Sequence, residues 1–497
     1  MTKRRAGVLM PIFSLPSPYG IGTFGKDAYK FIDFLKKAGQ KVWQVLPLVP
    51  TGFGDSPYSS SCSYAGNPYF IDVDFLKDDG LLSKAECESY SCDNGDNKID
   101  YSQLFNKRIA LLKLAFSRFD KENEDFKSFL LEGEFNAYSL FMAIKEKFDY
   151  KKLNAWDNNY KKRDKKTLEN FEKENSDAVL FWQFTQFIFF SQWKKLKNYA
   201  NQNGVQILGD LPLYMSDDSV DVWESPEAFQ LNEDGFPSEV AGVPPDYFSE
   251  DGQLWGNPLY DWDAMKNDGY KWWNKRLNRA LKVYDIVRID HFRGFDRYYA
   301  VPYGSQTAKQ GRWRDGPKEN LFADKKQFNI IAEDLGVIDD GVRRLLKNTG
   351  FPGMKVLEFG FNGDENHEYK PSNYSENCVA YTGTHDNATF VEYFNALTAK
   401  EKEIFFLDLK RETERFNLVR KGKCVKSARK RVIELLYKSK ANLVILPLAD
   451  LLGLDGSARI NRPGILSQEN WTWRLEKGKL TSAVCKKYSD LAKENNR

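Results

Sequence analysis

Residues 285–294 read Asp-Ile-Val-Arg-Ile-Asp-His-Phe-Arg-Gly. In an extended chain alternate side chains share a face, so Ile286, Arg288 and Asp290 point one way while Val287 and Ile289 point the other. Seven other short apolar runs resemble this one: 7–13 (GVLMPIF), 42–48 (VWQVLPL), 205–211 (VQILGDL), 328–333 (FNIIAE), 354–359 (MKVLEF), 378–383 (CVAYTG) and 442–447 (NLVILP). Runs of this length suit strands buried on both faces, as in a parallel sheet. Apolar spacing of helical type separates most of them, over 28–38, 272–283, 339–348 and 427–438. Eight strands alternating with helices predict an α/β fold of the (β/α)8 TIM-barrel type, with residues 1–497 as a single catalytic barrel domain.

Two intervals are too long for plain connections. Residues 65–200 read as several helices around a Lys/Asn/Asp-rich stretch, and residues 215–284, rich in Pro, Gly, Trp and Asp, read as ordered loops. Both follow a proposed strand and so are expected as inserted, mainly helical subdomains at the C-terminal face of the barrel, where active sites are built. No repeat of fixed period is visible.

Composition narrows the function. With 73 basic and 70 acidic side chains the net charge is only +3, too little to drive nucleic-acid binding. Six cysteines lie scattered without a CxxC pair or a histidine at ligand spacing, and free thiols suit a cytoplasmic protein. No calcium loop is visible, and neither a metal nor another cofactor is expected. The opening MTKRRAGVLMPIF is broken by Pro11 and lacks a cleavage site, so it does not read as a signal peptide. The most apolar stretch, 178–193, contains Gln183, Gln186 and Gln192 and reads as a buried helix rather than a membrane span.

Three strand ends carry acids. Asp290 ends one run, with Arg288 one layer below it, where an opposite charge favours the ionised carboxylate that a nucleophile at an anomeric carbon must be. Glu333 shares a face with Ile331 at the mouth of the next run, and Asp386 follows another in YTGTHDN (381–387). Two of the three histidines, His291 and His385, adjoin these acids. Taken singly, Arg-x-Asp reads as a buried ion pair, Glu-Asp-Leu-Gly as a helix cap and His-Asp-Asn as a turn. Three acids at strand ends facing one pocket favour glycoside chemistry, in which one carboxylate attacks and another protonates the leaving oxygen.

Seven segments together carry a resemblance: PTGFGDSPYSS (50–60), ILGDLPLYMSDDSVDVW (207–223), VAGVPPDYFSEDGQLWGNPLYDW (240–262), VRIDHFRG (287–294), AEDLG (332–336), YTGTHDN (381–387) and ARINRPG (458–464). In this order and spacing the chain resembles glycoside hydrolase family 77, the amylomaltases or disproportionating enzymes. The resemblance implies a barrel without a C-terminal β-domain and a 4-α-glucanotransferase acting by retaining double displacement. It implies Asp290 as nucleophile, Glu333 as general acid and then base, and Asp386 as transition-state stabiliser, with the first two carboxyl groups about 5–5.5 Å apart. Arg288, His385, Asp210 and His291 match positions that support the nucleophile or bind the sugar whose bond breaks. Trp255, Asp246 and Gln253 match a flexible loop covering the cleft, and Ser56, Tyr58 and Asn461 match further glucan contacts. The expected donors are α-1,4-glucans and maltooligosaccharides, and the expected acceptors are glucose or another maltooligosaccharide. Two positions depart from the pattern: Ala388 stands where an Asp is usual, and Phe53 where a Tyr is usual. The rival readings are a hydrolytic α-amylase-like enzyme with the same acids and a non-catalytic glucan-binding barrel.

Overall fold

The computed structural model of the chain describes residues 4–93, 95, 97–245, 250–325, 328–418 and 422–497. Eight parallel strands form its centre: β1 (Arg5–Leu9), β2 (Val42–Gln44), β3 (Gln206–Leu211), β4 (Ile286–Ile289), β5 (Ile330–Ala332), β6 (Gly353–Val356), β7 (Cys378–Tyr381) and β8 (Leu443–Pro447). Their order is β6-β7-β8-β1-β2-β3-β4-β5. Ladder pairing stops at β5 and β6, and two hydrogen bonds sew that seam: the Ala332 amide to the Pro352 carbonyl at 3.0 Å and the Met354 amide to Asp334 Oδ1 at 2.6 Å. The result is a (β/α)8 barrel.

Each of the eight apolar runs became a strand, shorter than its run. The ladder ends early where proline interrupts it: Pro11 follows β1 and opens a 3-10 turn at Ile12–Ser14, and Pro47 lies past β2. The helices at Lys26–Lys37, Lys271–Val283, Asp340–Thr349 and Val425–Lys438 lie where apolar spacing places them.

The first inserted interval is helical and ends in a long helix, Ser176–Gln202. Its buried glutamines explain their own presence. Gln186 accepts from the Gly66 amide (2.7 Å) and donates to the Gly66 carbonyl (3.1 Å), and Gln192 grips Asp72 in the same two-bonded way, at 2.7 and 3.1 Å. Each side-chain amide satisfies a buried peptide group and fastens the segment leaving the barrel to this helix.

The second interval departs from its sequence reading. It holds two strands, Glu239–Val243 and Gln253–Pro258, where ordered loops were expected. They pair antiparallel with Arg297–Pro302 and Arg312–Asp315 from beyond β4 in a four-stranded sheet. Half of that sheet comes from outside residues 215–284, so local periodicity carries no signal for it. Past β8 the described residues form helices and loops and add no further strand. No described helix is long and apolar enough to cross a membrane.

Candidate active site

The register of three adjacent strands assembles the site's floor. Asp210 on β3 lies beside Arg288 on β4, which lies beside Ile331 on β5, so all three side chains enter the barrel. Arg288 is buried, and its Nη1 donates to both oxygens of Asp210, at 2.7 and 2.6 Å. Its Nη2 lies 3.0 Å from Asp290 Oδ1. One guanidinium therefore holds two carboxylates, an arrangement that lets the charges be buried together. The side chain of Asp290 keeps 27% of its surface open and that of Asp386 keeps 41%, whereas Asp210 is sealed at 0%. The first two acids are open to solvent, and the third is enclosed behind Arg288.

Glu333 follows β5 directly. Its Oε2 accepts from the His291 amide and its Oε1 from the Leu335 amide, each at 2.7 Å. His291 adopts a left-handed conformation, φ +48°, unusual for a residue with a Cβ. That turn follows Asp290 directly, and the next amide, that of Phe292, donates to the Glu333 carbonyl at 3.0 Å.

Asp386 and His385 lie on the loop after β7. Asn461 Nδ2 donates to Asp386 Oδ1 at 2.6 Å, and His385 Nε2 is 3.4 Å from Asp386 Oδ2. Tyr58 crosses the site: its hydroxyl donates to Asp210 Oδ2 at 2.8 Å while its ring stacks on His385, centroids 5.2 Å apart and planes 5° apart. Burial, with Asp210 beside it, pushes the Tyr58 hydroxyl well above its ordinary pKa, so it serves as donor.

Trp255, on the strand Gln253–Pro258, meets His291 edge to face with centroids 4.8 Å apart, and its indole donates to Gln253 Oε1 at 3.2 Å. Ser56 lies on the Tyr58 loop, where its hydroxyl accepts from the Tyr58 amide at 3.2 Å. Asp246 lies outside the described residues. Phe53 is 72% exposed and lines a cleft of about 570 Å³ that runs from Trp255 to the helical insertion.

Burial dominates the electrostatics of the site. Burial raises the pKa of Asp290, Arg288 opposes it, and the acids Asp210, Glu333 and Asp386 add to the rise. Arg288 thus acts on Asp290 as its position on the strand suggested, but it is shared with Asp210 and does not outweigh burial. Glu333 is also raised by burial, against Arg288 and its two amide donors. Burial favours the neutral form of His291 and His385, lowering His291 to about 3 and also lowering His385.

Residues 10–481 match the model of glycoside hydrolase family 77, described as 4-alpha-glucanotransferase. The chain belongs to this family. It is 44% identical to a 4-alpha-glucanotransferase of Clostridium butyricum, covering 97% of this chain and 99% of that one. It is 42% identical to a 4-alpha-glucanotransferase of Streptococcus pneumoniae serotype 4, covering 99% and 97%. Among solved structures, the amylomaltase of Streptococcus agalactiae in complex with acarbose superposes with a TM-score of 0.94, 40% identity and full coverage of both chains. The amylomaltase of Corynebacterium glutamicum, 18% identical, shares the fold with a TM-score of 0.78, covering 99% of this chain and 75% of that one.

Two residues not singled out in the sequence also reach the site, Trp471 and Arg459, the second of them inside the ARINRPG segment. Trp471 packs against Tyr58 at 5.7 Å and against His385 at 6.1 Å. Arg459 donates to the Asp386 carbonyl at 3.2 Å and to the Asn461 carbonyl at 2.8 Å. Both come from the chain after β8, and only the fold brings them to a loop some 70–85 residues earlier.

Proposed function

We propose that this enzyme cuts an α-1,4-glucan and passes the released segment, with retention, to the 4-hydroxyl of glucose or another α-1,4-glucan. The observation that carries the proposal is Arg288 between Asp210 and Asp290, with Glu333 held by the amide that follows Asp290. In the first half-reaction the Asp290 carboxylate attacks the anomeric carbon while Glu333 gives its proton to the leaving glycosidic oxygen. A buried carboxyl beside an anion keeps its proton, so the two acids take opposite roles. Once Asp290 is esterified its negative charge is gone. Glu333 then loses that repulsion, and the His291 and Leu335 amides stabilise its ionised form. It is ready to take the proton from an acceptor hydroxyl.

Neutral His385 and His291 suit hydrogen bonding to sugar hydroxyls, and Asp386, fixed by Asn461, suits holding hydroxyls of the distorted ring. Trp255 over His291 supports a lid that limits water during the life of the intermediate. Six unpaired cysteines, four of them buried, fit work in a reducing cytosol.

The test is incubation with maltotriose alone. Glucose with maltotetraose and longer chains supports transfer, whereas glucose and maltose without longer products supports hydrolysis and sinks the proposal. Intact mass after reaction with a maltosyl fluoride should show one added glycosyl group, absent in Asp290→Asn.

A further inference from the structure

The loop bearing His385 and Asp386 is tied within itself. The Thr384 amide and hydroxyl donate to Asn387 Oδ1 at 2.8 and 2.9 Å, and the Asp386 amide donates to the Thr384 hydroxyl at 3.2 Å. These bonds set the loop's shape but not its place on the barrel. The ladder between β7 and β8 ends at Tyr381 opposite Ile445, so nothing in the sheet continues to hold the chain beyond that point.

Asp450 takes over there. It lies in the short helix Leu448–Leu452 that follows β8 and is 1% exposed. Its Oδ2 accepts from the Thr382 hydroxyl and its Oδ1 from the Phe390 amide at 2.6 Å. One carboxylate thus grips both ends of the segment 382–390. Asp450 is itself held, because Arg429 Nη1 donates to the carbonyls of Asp450 (2.6 Å) and Leu451 (2.9 Å). Burial lifts Asp450 to about 6, with the Phe390 amide, the Thr382 hydroxyl and Arg429 holding it down. Glu358, a second buried acid near Asp450, accompanies the same segment: its own amide donates to the Thr382 carbonyl at 3.3 Å.

We propose that Asp450 is a positioning residue for glucan transfer: it staples both ends of the 382–390 loop to the end of β8 and so sets where Asp386 and His385 meet the sugar. The proposal rests on the reading of Asp386 as a group that holds the distorted sugar. Asp450 touches no substrate and acts only through that loop.

The experiment compares wild type, Asp450→Ala, Asp450→Asn and Thr382→Val in maltotriose disproportionation, acarbose binding by calorimetry and thermal unfolding. Asp450→Ala should lower kcat about 100-fold and weaken acarbose about tenfold, because a displaced loop is felt most in the transition state. Asp450→Asn should recover to within about fivefold of wild type, since its carbonyl accepts from Phe390 and its amino group donates to the rotated Thr382 hydroxyl. In an Asp386→Ala background, Asp450→Ala should weaken acarbose by clearly less than it does in wild type, because only the His385 contact is left to lose, which distinguishes action through the loop from general damage. A folded Asp450→Ala enzyme with wild-type kcat overturns the proposal, as does an equal loss of binding with and without Asp386. If Asp450→Ala does not fold, Thr382→Val carries the test: a kcat drop of about threefold or more is expected, and an unchanged kcat overturns the proposal. Wild type failing to lengthen maltotriose defeats the transfer reading instead, so the two failures are distinguishable.

Discussion

The amide of His291 donates to Glu333 Oε2 at 2.7 Å, so the turn that ends the strand of Asp290 also carries the acid on the next strand. The Glu333 carboxylate is thereby tied to the backbone next to Asp290 rather than to another flexible side chain. Such rigidity is what a double displacement requires of its two acids.

Glu333→Gln tests that relationship directly. Glutamine offers one acceptor oxygen to two amide donors, His291 and Leu335, and has no proton to give. We expect kcat on maltotriose to fall about 1000-fold, within the range for loss of a general acid. A glycosyl fluoride, whose leaving group needs no proton, should still release a burst of fluoride. No burst would show that the substitution also harms Asp290.

The pH dependence of kcat/KM follows from the raised pKa values of Asp290 and Glu333, burial being the main cause in both. Asp290 must be ionised, so activity is lost as pH falls through its raised value. Glu333 must be protonated, so activity is lost as pH rises through its own. Both limbs of the bell therefore lie above those of free carboxylic acids, as properties of the coupled pair. Arg288→Lys replaces a two-armed cation with a point charge shared by Asp210 and Asp290. The acid limb should move to higher pH and the maximum should fall at least tenfold, an order set by the loss of one charged hydrogen bond. An unmoved acid limb would contradict the role assigned to Arg288.

Tyr58→Phe removes the hydroxyl 2.8 Å from Asp210 and keeps the ring on His385. Losing one donor to a buried carboxylate should lower kcat/KM about tenfold. Tyr58→Ala, which also loses the stack, should be worse. Steady-state kinetics on maltotriose measure both, and a Phe variant equal to wild type would show that Asp210 needs only Arg288.

Trp255→Ala opens the edge contact over His291. With the lid weakened, water competes better for the glycosyl-enzyme. The expected result is net gain of reducing ends, measured as the ratio of hydrolysis to transfer on maltotriose, with little change in Tm because Trp255 is already 37% exposed.

Asp334 closes the barrel seam, and burial pushes its pKa up to about 7. The folded state binds this proton more tightly than the unfolded chain, whose value is about 3.9. That contribution to stability is complete below about pH 4 and is lost as pH rises through 7. Asp334→Asn keeps an acceptor for the Met354 amide without the charge. It should be more stable than wild type at pH 8, by on the order of 2–4 kcal/mol as an upper bound, and should lose that advantage near pH 4. Urea unfolding at the two pH values checks it.

Much of this architecture was legible in the residue order. A strand buried on both faces must be apolar along its length, so eight apolar runs announced eight strands. The two-residue alternation of an extended chain announced that Arg288 and Asp290 share a face, as do Ile331 and Glu333. The segments that resemble family 77 located Tyr58, Asp210, His385 and Asn461, which the fold brings together. The four-stranded sheet left no pattern in the residue order because its strands are short, partly polar and drawn from two separate loops of the barrel. The shared guanidinium left none either: alternation places Arg288 under Asp290, but only the register of β3 against β4 sets Asp210 beside it and divides its charge. Trp471 and Asp450 belong to the same class. Periodicity along a chain reports which side of an element is buried, whereas contacts between distant segments depend on how the barrel closes. The sequence by itself therefore determined the strands, their faces and the three acids. The tertiary structure alone decided which groups hold those acids in place, because closing the barrel brings residues of β3, β4, β7 and β8 together across gaps that no local pattern spans.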